Sequence, residues 1–118
     1  MVNYETQLDA VFMALAHPAR RRMLAQLGKG EATVGELAQP LDMSLPAVTM
    51  HLKVLERAKL ISRSRNAQWR PCRLEEAPFK TGSGWIEEQR KVWESRLDRL
   101  EAYLHRMEKE KGRRNDQG

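Results

Sequence analysis

Cysteine occurs once, at Cys72, so no disulfide closes within the chain, and with only three histidines beside it the sequence is a poor source of ligands for a protein-only metal site. Long apolar runs are missing: none approaches the roughly 20 residues that cross a bilayer. Residues 1–10 also lack the apolar core and small-residue cleavage site of a signal peptide. These absences predict a soluble, cytoplasmic protein with no membrane partner. A glycine-rich phosphate loop, a nucleophile with a base in reach and clustered carboxylates are lacking too, which predicts a binding protein and not an enzyme, with no cofactor and no metal. RNA-reading sheets display exposed aromatics, and only Trp69 qualifies here.

What is present fits one small domain. The 118 residues are too few for two cores at about 100–200 residues per domain. They leave room for one long extra element. The net charge of +5 is modest, but its distribution is not. Residues 57–73 hold Arg57, Lys59, Arg63, Arg65, Arg70 and Arg73 without one acid, whereas residues 85–111 balance seven bases against seven acids. A basic stripe in an otherwise balanced chain predicts a partner with a regular array of negative charge, foremost nucleic acid.

The apolar spacing is helical in the first half. Leu8, Val11, Phe12 and Leu15 fall on one face of a helix over 6–16, which His17-Pro18 ends. Pro18 opens a second helix with Met23, Leu24 and Leu27 inward, stopped by Gly28 and Gly30. Thr33 with Glu36 three residues on is a capping box for a short helix over 34–39, ended by Pro40. Ser44 caps a fourth helix, with Pro46 in its first turn and Val48, Leu52 and Leu55 inward as far as Ala58. The tight link Leu41-Asp42-Met43 gives the last two helices helix-turn-helix spacing.

Residues 60–65 and 68–74 then read as two strands around Asn66-Ala67, with Pro71 demoting the second to an edge. This charged ribbon directly after the fourth helix has the position of a wing. Residues 78–84 read as a Gly/Ser/Pro-containing linker, and residues 85–111 as one long helix. Ile86, Trp93, Leu97, Leu100, Leu104 and Met107 form a coiled-coil seam on it, with Arg90 as a polar interruption. A stripe that long predicts a homodimer, with an intramolecular buttress as the alternative. The division is therefore a DNA-binding domain over 1–78, a dimerisation helix over 79–111 and a disordered tail over 112–118. The fold class is mainly α with a small β-hairpin.

Four blocks carry a family resemblance: His17-Pro18-Ala19-Arg20-Arg21-Arg22-Met23-Leu24, Thr33-Val34-Gly35-Glu36-Leu37-Ala38, Ser44-Leu45-Pro46-Ala47-Val48-Thr49-Met50-His51-Leu52-Lys53-Val54-Leu55, and Ala58-Lys59-Leu60-Ile61. In this order and spacing, residues 6–74 resemble the ArsR/SmtB family of bacterial winged helix-turn-helix repressors. The resemblance implies a sequence-specific regulator of transcription, a homodimer whose two recognition helices enter the major grooves of an inverted repeat in double-stranded DNA. The face of the fourth helix opposite Val48, Leu52 and Leu55 then offers Ser44, Leu45, Pro46, Thr49, Met50 and Lys53 to the groove. Ser44 either reads DNA or is used up as a cap, and His51, between the two faces, is either a packing residue or a reader. Arg63, Arg65 and Arg70 follow the phosphates from the wing. One of Arg20, Arg21 and Arg22 is an internal salt-bridge partner. Leu8 and Phe12 join Ile86, Trp93, Leu97, Leu100 and Leu104 in the dimer interface.

The chain departs from the family's metal sensors. The window Ala32-Thr33-Val34-Gly35-Glu36-Leu37 holds no cysteine, and the long helix offers only His105, which predicts a member that does not sense metal. Cys72 is either a redox-sensing thiol stabilised by Arg70 and Arg73 or a small apolar strand residue. No effector is named by these residues. The competing function is a winged-helix protein-interaction module whose stripe meets an acidic protein.

Overall fold

A computed structural model describes residues 3–64 and 70–116, for the last two of which only the backbone is described. The order is α1 Tyr4–Leu15, α2 Pro18–Leu27, α3 Val34–Ala38, α4 Leu45–Arg57, β1 Ile61–Arg63, β2 Cys72–Leu74 and α5 Glu76–Asp116. Helix α1 starts two residues before the sequence predicts, because Asn3 Oδ1 accepts the Thr6 amide at 2.8 Å and caps it. Helix α2 begins at Pro18 as its missing N–H allows, and the capping box of α3 is complete, with Thr33 Oγ1 accepting the Glu36 amide and Glu36 Oε1 accepting the Thr33 amide.

The strands pair antiparallel, with Ile61 opposite Leu74, Ser62 opposite Arg73 and Arg63 opposite Cys72. Their expected turn at Asn66-Ala67 lies outside the described residues. The second strand is not an edge at its first residue: Cys72 donates its amide to Ala32 at 2.7 Å and accepts the Ala32 amide at 3.2 Å. Pro71 lies just before that bridge, where no donor is required of it.

The core gathers Met23, Leu24 and Leu27 of α2, Leu37 of α3, Val48, Leu52 and Leu55 of α4, and Leu60, Ile61 and Cys72 of the wing. Each large side chain fully buried here is worth about 1.5–3 kcal/mol relative to exposure, which is why the short helices hold although α3 has only five residues.

The linker expected over 78–84 is helix instead. Helix α5 opens at Glu76 and runs through Gly82 and Gly84. Pro78 stands in its first turn, where it costs no hydrogen bond, and Phe79 packs against the core. Gly82 faces Val11 so closely that a Cβ would come within 3.2 Å of Val11 Cγ1. A close approach to α1 therefore overrides the low helix propensity of glycine, about 1 kcal/mol per residue. At the other end α5 continues from 112 to Asp116, where the sequence predicts a disordered tail.

The chain forms two compact units, one ending at Ser83 and one starting at Gly84. The second is helix alone. Its seam side chains Ile86, Trp93, Leu97, Leu100, Leu104 and Met107 are all exposed. Arg90, the interruption in that seam, is neutralised within its own helix: it bonds Glu87 Oε1 at 2.7 Å and also pairs with Glu94. No helix among the described residues is long and apolar enough to cross a membrane.

Candidate nucleic-acid interface

Helix α4 divides cleanly into two faces. Val48, Leu52 and Leu55 are buried, while Leu45 and Met50 stand 57% and 65% exposed. Pro46 and Lys53 are exposed and Thr49 is half-buried. Leu45, Pro46, Thr49, Met50 and Lys53 border one shallow depression, so five of the six recognition-helix candidates share a continuous surface. The surface is apolar at its floor, has one hydroxyl and ends in one ammonium group, a composition able to meet thymine methyls, a base edge and a phosphate. The sixth candidate, Ser44, accepts the Ala47 amide at 3.3 Å as the cap of α4, which leaves its O–H to donate outward.

The wing arginines are not equivalent. Arg63 lies across from its predicted role: its side chain is only 20% exposed, and its Nε sits 2.8 Å from Glu56 Oε1 in the last turn of α4. A guanidinium withdrawn onto a carboxylate is a strut inside the protein and not a free phosphate ligand. Arg65 lies outside the described residues. Arg70 is exposed and holds φ at 37°, a left-handed conformation that non-glycine residues rarely adopt. Arg73 is exposed as well, 3.4 Å from Glu75 Oε1. Glu75 also accepts the Ser62 hydroxyl at 2.6 Å, and that hydrogen bond foremost, then Arg73, holds its carboxyl below the usual range.

Cys72 is fully buried, and burial pushes its thiol up despite the neighbouring Arg63 guanidinium. A protonated, covered thiol fits the apolar strand residue and not the redox sensor. Among the described residues no three His, Cys, Asp or Glu side chains are grouped to hold a metal ion.

Arg20 and Arg21 do not take the salt-bridge role expected of one of the triplet. They donate to backbone carbonyls at the end of α1: Arg20 to Ala14 O and Met13 O, and Arg21 Nη1 to Leu15 O at 2.8 Å. A helix C-terminus leaves carbonyls unpaired, and these guanidinium groups satisfy them without any carboxylate. His51 is a packing residue, half-buried against His17 and bonded by Arg20. The pairing of Arg63 with Glu56 left no signal in spacing, because it joins the end of a helix to a strand.

The dimer candidates divide. Ile86, Trp93, Leu97, Leu100 and Leu104 are exposed on the second unit, with Trp93 at 66%. Phe12 is half-buried, and Leu8, on the inward stripe of α1, is only 6% exposed within the protomer, so it has little surface left for a partner.

A family model described as a helix-turn-helix domain matches residues 15–63. The chain is 30% identical over 79 residues to the transcriptional repressor SdpR of Bacillus subtilis, a likeness covering 67% of this chain and 88% of that repressor. It is 37% identical over 63 residues to the biofilm growth-associated repressor of Agrobacterium fabrum, covering 53% of this chain and 54% of that relative. Among solved structures, an ArsR family transcriptional regulator is 42% identical with a TM-score of 0.73, covering 80% of this chain and 98% of that one.

Proposed function

The chain belongs to the ArsR family of winged helix-turn-helix transcription regulators, and from that premise we propose that it is a homodimeric, cytoplasmic repressor that binds an inverted repeat in duplex DNA without sensing metal. The observation that carries this reading is the surface shared by Leu45, Pro46, Thr49, Met50 and Lys53 on α4, opposite the buried Val48, Leu52 and Leu55. An apolar face with one hydroxyl and one ammonium suits a major groove, where thymine methyls and base edges alternate. Specificity comes from Thr49, Met50, Leu45 and Pro46, with Ser44 at the helix start, and Lys53 reaches a phosphate.

We assign the sequence-independent attraction to Arg65 and Arg70, and the exposed Arg73 adds to it. Arg63 contributes to the wing's seat instead. The homodimer rests on the exposed seam Ile86, Trp93, Leu97, Leu100 and Leu104 of the second unit, and half-buried Phe12 of α1 is a smaller contributor. Six apolar side chains along one helix, Met107 included, need a matching surface, and a second copy supplies one of equal length.

The test is a selection of the purified chain against a random duplex library at about physiological salt, followed by sequencing of the retained DNA. Enrichment of an inverted repeat with half-sites about 10–10.5 bp apart, one helical turn, is the expected result. Retention that ignores sequence and fades evenly with salt would overturn it in favour of a winged-helix module that meets an acidic protein.

A further inference from the structure

Arg20 stands where three helices meet. Its Nε donates to Ala14 O at 2.7 Å and its Nη2 to Met13 O at 2.9 Å, which ties it to the end of α1. Its Nη1 lies 3.1 Å from Nδ1 of His51 on α4. A guanidinium only donates, so His51 Nδ1 is the acceptor and the proton of that ring is on Nε2. His17 packs against His51 with ring centroids 4.3 Å apart and planes tilted by 40°, and its own Nδ1 accepts the Ala19 amide at 3.1 Å to start α2. Each ring thus spends its Nδ1 as an acceptor on the fold.

A proton can reach His51 only at the nitrogen that already holds Arg20. The new charge would face Arg20 and lie against His17. Among the described residues no carboxylate forms an ion pair with either ring. His51 also follows directly after Met50 on the helix that carries the candidate reading surface, so a change in its seat is a change in the pitch of that surface.

We infer that Arg20 is a positioning residue for DNA recognition, seating α4 against the end of α1 through His51, and that protonation of His51 releases the seat. The inference rests on the DNA-binding reading above. It adds a residue that touches no DNA and a dependence on pH that the reading surface alone, which holds no histidine, would not produce. Burial first, then His17 and Arg20, hold His51 below its ordinary value of 6.5. The seat is thus fully formed at and above that value and is lost only as pH falls through the lower one the fold imposes.

The experiment uses the full chain, the duplex obtained by selection and an unrelated duplex of equal length, with binding read by fluorescence anisotropy in steps from about pH 7.5 down to about pH 4.5, as far as the chain stays folded by circular dichroism. Arg20→Gln is expected to lose roughly tenfold in affinity for the selected duplex, the scale of one lost base contact, with less than about twofold change on the unrelated one. Arg20→Lys keeps the charge but not the fork of donors and is expected to recover only part of the loss. The wild-type preference is expected to shrink on acidification, and His51→Gln to remove that pH dependence.

An Arg20→Gln chain that keeps its preference overturns the inference. So does an equal loss on both duplexes, which would make Arg20 a phosphate contact. If Arg20→Gln fails to fold by circular dichroism, the comparison of wild type with His51→Gln decides: a preference that acid leaves alone, or one that His51→Gln leaves equally acid-sensitive, overturns it. A wild-type chain with no preferred duplex at about pH 7.5 would overturn the DNA reading itself, and this inference with it.

Discussion

Arg63 Nε lies 2.8 Å from Glu56 Oε1, so the first strand of the wing is pinned to the last turn of the helix that precedes it. The pair is mostly covered, with the Arg63 side chain 20% and the Glu56 side chain 36% exposed. Removing one partner would leave a guanidinium without its counter-charge in a site that water reaches poorly. Glu56→Ala is therefore expected to lower unfolding stability by about 1–3 kcal/mol, below the full cost of breaking a wholly buried pair because both groups retain some solvent. Urea denaturation followed by circular dichroism measures it, and a loss under about 0.5 kcal/mol would show the pair to be ornamental.

The same geometry separates Arg63 from Arg70 in DNA binding. Each phosphate contact contributes nearly one counterion to the salt dependence of affinity. Arg70→Ala is expected to reduce the slope of log affinity against log salt by about 0.9, and Arg63→Ala to leave it unchanged while costing stability. Titrations at several salt concentrations read both, and equal slopes for the two variants would contradict the division of roles.

Thr49 supplies the one hydroxyl among the side chains that border the reading surface. Its loss should remove discrimination and spare general attraction. Thr49→Ala is expected to cost about 1–3 kcal/mol on the selected duplex, relaxed at a single position of each half-site, with little change on unrelated DNA. Repeating the selection with the variant locates that position.

Two glycines of α5 should respond with opposite signs. Nothing lies within 4 Å of a Cβ built on Gly84, so Gly84→Ala is expected to stabilise the helix by about 0.5–1 kcal/mol. Gly82 faces Val11 at 3.2 Å, and Gly82→Val is expected to destabilise by about 1–3 kcal/mol through overpacking. Thermal unfolding of the two variants side by side tests the close approach, and a stabilised Gly82→Val would refute it.

Much of this was legible in the sequence because local rules carried it. Pro18, the Thr33/Glu36 box and Ser44 each announce a helix start, and the inward spacing of Val48, Leu52 and Leu55 orients α4 without further information. Residues 78–84 failed as a linker because their helix depends on contacts that are distant in sequence, Phe79 on the core and Gly82 on Val11. The withdrawal of Arg63 and the use of Arg20 and Arg21 on carbonyls failed to show for the same reason. A charge pattern says how many cations a segment owns, and only the fold says which of them are already spent.

The seam of the second unit makes a further claim. Trp93 and Leu97 are exposed in the single chain, and a partner helix would cover them. Leu97→Glu is expected to shift the chain from dimer to monomer in sedimentation equilibrium, and to weaken binding to a full inverted repeat far more than to an isolated half-site. A variant that stays dimeric would place the interface elsewhere.

The bridge between Ala32 and Cys72 has a topological meaning. It ties the chain just before α3 to the return strand of the wing, so α3, α4 and β1 all lie inside one loop closed at its neck by two backbone hydrogen bonds. Such a knot of non-adjacent backbone reduces the ways the enclosed segment can open independently. The segment that carries the reading surface is thereby closed at its mouth by backbone as well as packed on the core by side chains.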